Sequence, residues 1–171
     1  MNFYHINYRF FLIFLFSAIF IFPTVAQHKS ERLFHIERNK NQHIVCYDLN
    51  IVDGKINEKS PIHIYWLLHP EKKKSDLSFI ESKLAYGARG ELIDPNTVFI
   101  KMNALKEAEI TVTRDSKTQD IISIVRVRGK TIRLKKVSII AKPPHYTSIE
   151  RVDIYGIDPS TRKEIVESIQ K

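Results

Sequence analysis

Cys46, Asp48 and His63 are the residues with which this chain could do covalent chemistry: a thiol, a carboxylate and an imidazole, set in strand-like sequence that could bring them together. A catalytic cysteine needs a base beside it and an electropositive, partly open setting. Asp48 works against that, because a carboxylate near the thiol raises its pKa, and a lone cysteine in a strand is ordinarily a core residue. An envelope hydrolase or transferase using polar groups around Asp48 and His63 is therefore the alternative reading. Metal chemistry has less support. His43 and Cys46 are three residues apart, which in a strand points them to opposite faces. His63 and His69 share a face but stand roughly 20 Å apart along an extended strand, too far for two ligands of one ion. The sequence contains no HExxH, paired CxxC, GxSxG or glycine-rich phosphate loop, and no cofactor is expected.

Binding chemistry is better supplied. With Gly129 and Lys130 as a hairpin turn, Arg126 faces Arg133 and Ile124 faces Lys135, while Val125, Val127, Ile132 and Leu134 form the buried side. Opposed arginines repel unless a carboxylate such as Glu150, or an external anion, lies between them. Arg126, Arg133 and Lys135 are thus candidate anion ligands. No aromatic stacking row accompanies them, which argues against nucleic acid.

A second candidate surface lies in residues 61–69, where Ile62, Ile64, Trp66 and Leu68 alternate with His63, Tyr65, Leu67 and His69. Both faces carry large apolar groups, so the strand reads as central or as closing a barrel. A helix is expected over 77–86. Ser78 and Glu81 have the spacing of a capping box, Leu77, Ile80 and Leu84 form one stripe, and Gly87 after Tyr86 reads as a left-handed cap. Lys72, Lys73 and Lys74 then belong to a solvated loop before it. This strand and helix are expected either to pack directly on each other or to wall an apolar pocket for a small or lipid-like ligand, with His63, Tyr65, Trp66, Leu67, His69 and Tyr86 at its edge.

The elements that must position these groups follow a β pattern. Residues 33–38, 43–52, 97–102, 108–113, 120–127, 131–140 and 146–155 show β-branched enrichment with alternation, separated by turn residues at 39–42, Asp53-Gly54, 115–117 and Pro143-Pro144. The expected fold is mainly β, an antiparallel barrel or sandwich of about eight to nine strands with one short helix packed on it. Residues 158–170 fit either a terminal helix or a last hairpin pairing with 146–155.

Residues 1–26 read as a cleaved signal peptide: Arg9, an uncharged run over 10–22 and a small residue at Ala26, with cleavage expected before Gln27. That run is shorter than the roughly 20 residues of a spanning helix, so membrane contact is expected only through this segment before cleavage. Residues 27–171 are expected to form a single β-rich domain, periplasmic or secreted. Arg9 carries the only charge in the leader, so its removal lowers the net charge from +8 to +7, which favours anionic neighbours such as an acidic envelope polymer or a lipid head group. Cys46 is the one cysteine, so no intramolecular disulfide is available and the core must supply the stability.

The segments LFHIERNKNQHIVCYDLN, PIHIYW and ESKLAYG resemble the family of secreted proteins catalogued as domain of unknown function 4833. The resemblance rests on Glu37-Arg38-Asn39-Lys40-Asn41, Tyr47 with Asn50, Trp66 and Ala85-Tyr86-Gly87. It implies an exported single domain and no activity. The combined expectation is a non-catalytic binding or interaction module for an apolar or anionic envelope ligand.

Overall fold

The computed structural model describes residues 28–145 and 148–171; the expected leader, its cleavage point and Tyr146 with Thr147 lie outside the described residues. Twelve strands occur among them: β1 His28–Arg38, β2 Asn41–Val52, β3 Lys55–Ile56, β4 Ile62–Leu68, β5 Lys73–Asp76, β6 Ala88–Asp94, β7 Thr97–Met102, β8 Glu109–Arg114, β9 Ile121–Val127, β10 Lys130–Ala141, β11 Ile149–Ile157 and β12 Glu164–Gln170. All belong to one sheet, whose main path runs β5-β4-β2-β1-β10-β9-β8-β7-β6. The expected barrel or sandwich is corrected to a single open half-barrel.

β10 is the strand on which both arms meet. Lys130 to Arg133 pair antiparallel with β9, while residues 136–139 pair parallel with His35 to Arg38 of β1. On its other side β10 carries β11, and β11 carries β12. The β1–β10 ladder is the one parallel pairing among the described strands; the remaining ladders are antiparallel, as expected. The ends of the sheet curl toward each other without pairing in the main path. Gly90 of β6 sits so close to the start of β4 that a side chain there would come within 2.8 Å of Pro61.

The inner face is the core. Val45, Tyr47, Leu49 and Ile51 of β2 are buried there as the alternation predicts, with Ile62, Val98, Ile100, Ile110, Val125, Ile132 and Ile154 from the strands around them. Phe34 stacks on Tyr47 at 4.5 Å. The β1–β2 hairpin, the Asp53-Gly54 turn and the terminal β11–β12 hairpin all form where the sequence allowed them. Both Asp53 and Gly54 have positive φ, as a tight hairpin turn of this hand requires.

Three local expectations are corrected. The hairpin before β10 turns at Arg128 and Gly129, both at positive φ, one residue earlier than expected. Arg126 therefore faces Thr131 and Arg133 faces Ile124, so the two arginines are not opposed. Lys73 and Lys74 are not in a loop: they belong to β5, a short exposed edge strand whose lysines suit it to discourage pairing with another chain. This leaves β4 next to an edge, not central.

The third correction is the helix. It is one turn, closed by the Tyr86 amide donating to the Glu81 carbonyl at 2.8 Å, an i to i−5 bond. The capping box forms, with the Ser78 amide donating to Glu81 Oε2 at 2.8 Å. Gly87 is not left-handed. Glycine is required because a Cβ there would lie 1.5 Å from the Ser82 carbonyl oxygen. Of the predicted stripe, Leu77 packs on the core whereas Ile80 and Leu84 are exposed.

Candidate functional site

β4 alternates as predicted, but the helix attaches to its inner face. Trp66 Nε1 donates to Glu81 Oε1 at 3.2 Å, and the Trp66 ring meets Tyr86 edge-on at 5.1 Å. The Tyr47 hydroxyl donates to the Tyr86 carbonyl, and Arg38 donates to the Tyr86 hydroxyl at 3.1 Å. Trp66 and Tyr86 are therefore core anchors of the turn. His63, Tyr65 and Leu67 lie on the opposite face and His69 falls in the turn after β4, so the helix does not cover the first three and the two sets do not wall a common pocket.

The outer face around Tyr65 is polar. Asp48 and Tyr65, 4% and 2% exposed, form a closed network: Tyr65 Oη and Ser30 Oγ each donate to Asp48 Oδ2 at 2.7 Å, and Arg32 Nε donates to Asp48 Oδ1. Arg32 Nη2 also donates to Tyr65 Oη at 3.0 Å. Burial alone would raise the Asp48 pKa, but the bonds from Ser30, Tyr65 and Arg32 outweigh it and hold the carboxyl below its ordinary value. Lys74 lies over the Tyr65 ring at 4.4 Å and His63 tilts against it at 5.0 Å. A buried carboxylate on β2 that accepts from donors on β1 and β4 ties those strands together, and the arrangement acts as a brace joining β1, β2 and β4. Cys46 is completely buried beside it, and burial pushes its thiol pKa up, with Arg32 and Lys74 opposing and Asp48 adding to the rise. Among the described residues no three His, Cys, Asp or Glu side chains gather as metal ligands. The amide of His69 donates to His43 Nδ1 at 3.1 Å, which ties β4's end to β2.

A different part of the outer face is concave. Across four strands, His35, Lys136, Tyr155 and Val166 stand directly opposite one another in one row. Between Leu134 and Lys136 the β10–β11 register shifts, so Lys135 is an extra residue and two consecutive lysines reach this face. Gly156 makes the bulge possible, since a Cβ there would sit 2.1 Å from the Arg133 carbonyl oxygen. The result is a hollow of about 440 Å³ with Lys135, Lys136, His35 and Glu164 at its edge and Tyr155, Ile165 and Val166 as its apolar part.

Each lysine has a counterion: Lys136 Nζ is 2.6 Å from the half-buried Glu37 and 4.8 Å from the Tyr155 ring centre, and Lys135 Nζ is 3.0 Å from the exposed Glu164. An exposed pair such as Lys135–Glu164 contributes about 0–1 kcal/mol, so an entering anion can replace it, whereas the half-buried Lys136–Glu37 pair is held more firmly. Burial lowers the His35 pKa; Glu37 opposes this, whereas Arg32 and Lys136 add to it, so at neutral pH the two lysines carry the positive charge. Lys135 is thus the predicted basic residue that lines the hollow. Arg133 is exposed one row away, opposite Ile157, and Arg126 lies beyond it on β9.

The family profile matching residues 34–168 is described as a domain of unknown function, DUF4833. The chain belongs to this family. No curated protein and no solved structure matches it. The DUF4833 match contains every residue named around the hollow, whereas Ser30 and Arg32 of the Asp48 brace precede it.

Proposed function

We propose that this DUF4833 protein is an exported, non-catalytic binding domain whose hollow captures an envelope ligand carrying an anionic group beside an apolar one. The observation that supports this reading is the bulge that turns Lys135 and Lys136 to one face above Tyr155, Ile165 and Val166. Charge and apolar surface side by side match the two halves of such a ligand. Dodecyl phosphate below its micelle concentration is a suitable probe. It should bind in calorimetry, and Lys136→Glu should weaken it at least about tenfold, since hydrogen bonds to charged groups contribute about 1.5–3 kcal/mol. Added salt should weaken it as well. Binding indifferent to both salt and Lys136→Glu defeats the reading. Export is tested separately: the protein recovered from the secreted or periplasmic fraction should begin at Gln27, and a retained leader would contradict it.

A further inference from the structure

The turn at 79–85 presents its apolar residues in the wrong direction for a core element. Phe79, Ile80 and Leu84 are 73%, 67% and 74% exposed, the three most exposed large apolar side chains among the described residues. Their orientation is held, not loose. Glu81 is drawn inward by Trp66 and Ser78, Asn103 Nδ2 donates to the carbonyls of Ser82 and Lys83 at 2.9 and 3.1 Å, and Gly87 lets the chain press against Ser82. With one side pinned to the sheet, the opposite side must face outward.

The apolar turn has cations beside it. Lys83 Nζ lies 4.7 Å from the centre of the Phe79 ring. Directly after the turn, Arg89 of β6 stands opposite Lys101 of β7, both exposed, a like-charged cross-strand pair whose nearest acidic residues along the sheet are Glu91 and Glu109. The one acidic side chain of the turn, Glu81, is used internally. Three apolar side chains are few beside the roughly 20–30 residues a side of a stable protein interface. They suit a bilayer surface, where aromatic and aliphatic side chains enter the boundary between head groups and acyl chains while lysines and arginines face anionic head groups.

We infer that this turn docks the domain on an anionic lipid surface, Phe79, Ile80 and Leu84 entering the interface and Lys83, Arg89 and Lys101 meeting the head groups. No helix among the described residues is long and apolar enough to cross a membrane, so this contact is an interfacial one. It is independent of the hollow, which takes a single ligand molecule.

The test reads the turn itself, so that vesicle binding through any other part of the chain does not count. Leu84→Cys in the full chain carries an environment-sensitive nitrobenzoxadiazole dye; Cys46, completely buried, leaves the label to position 84. On phosphatidylglycerol vesicles the emission should shift to the blue and be quenched by spin-labelled acyl chains. Phosphatidylcholine vesicles should give little of either effect. Adding Arg89→Glu, or Lys83→Glu, should weaken the titration at least about fivefold, and Phe79→Ser should remove most of the shift. A label that stays in water while phosphatidylglycerol vesicles are present overturns the inference. So does a shift that grows with protein concentration in lipid-free buffer, which would give the turn to a second copy of the chain.

Discussion

Asp48→Ala is expected to lose about 3 kcal/mol of stability in urea denaturation at pH 7, because it leaves the Arg32 guanidinium, the Ser30 hydroxyl and the buried Tyr65 hydroxyl without their common acceptor. The figure is at the lower end for a broken buried ion pair because Arg32 is partly exposed and water can reach part of its charge. Tyr65 has no such relief. A loss under about 1 kcal/mol would mean that the network is not a brace between β1, β2 and β4.

The same carboxylate gives a signed pH dependence. Its folded pKa is held below the unfolded value, about 3.9 for an aspartate, so its contribution is complete above that value and disappears as pH falls through the folded pKa. Wild-type stability should therefore drop more steeply below about pH 4 than that of Asp48→Asn, which has no proton to take up at this position. The two curves should converge toward acid. Parallel curves would show that Asp48 titrates alike in folded and unfolded chains.

Much of the sheet is legible because its strands bury one face at period two. In β2 the row Val45, Tyr47, Leu49 and Ile51 announces itself, and Asn39 with Lys40 supplies the turn that pairs it with β1. β5 has no such signal: Lys73 to Asp76 are exposed throughout, and the strand exists because β4 offers it an open edge. The helix was legible in its capping box but not in its direction, since the Trp66–Glu81 bond, a tertiary contact, leaves Ile80 and Leu84 of the stripe facing outward. Lys136 was missed for a related reason. In an unbroken β10 it would alternate onto the buried side with Leu134, and only the bulge returns it to the outer face. His35 reaches it through a parallel pairing between strands a hundred residues apart, which no local pattern records. One sign was present: Gly156, alone within the β-branched pattern of β11, is the mark of a bulge or a close backbone approach.

That glycine carries the second large effect. Gly156→Ala places a methyl group 2.1 Å from the Arg133 carbonyl oxygen, 2.5 Å from Ile132 Cγ2 and 2.9 Å from the Arg133 carbonyl carbon. A long side chain could swing away, but two of these three atoms are backbone, so β10 and β11 must separate at the bulge. Overpacking of this kind costs about 1–3 kcal/mol, and the upper end is expected here because the ladder itself has to move. The φ of Gly156 is not in the left-handed region, so the cost is one of space and not of backbone strain. Function should suffer through the same displacement. Lys135 and Lys136 share a face only because the register shifts beside Gly156, and moving the strands apart changes the spacing of the two ammonium groups, of which that of Lys136 lies over Tyr155. Dodecyl phosphate binding should therefore weaken in Gly156→Ala under conditions where circular dichroism shows the sheet intact, whereas Asp48→Asn, outside the lining of the hollow, should weaken it far less while folded. If Gly156→Ala melts like the parent and binds like it, neither the bulge nor the pair of lysines it presents has the role assigned to it.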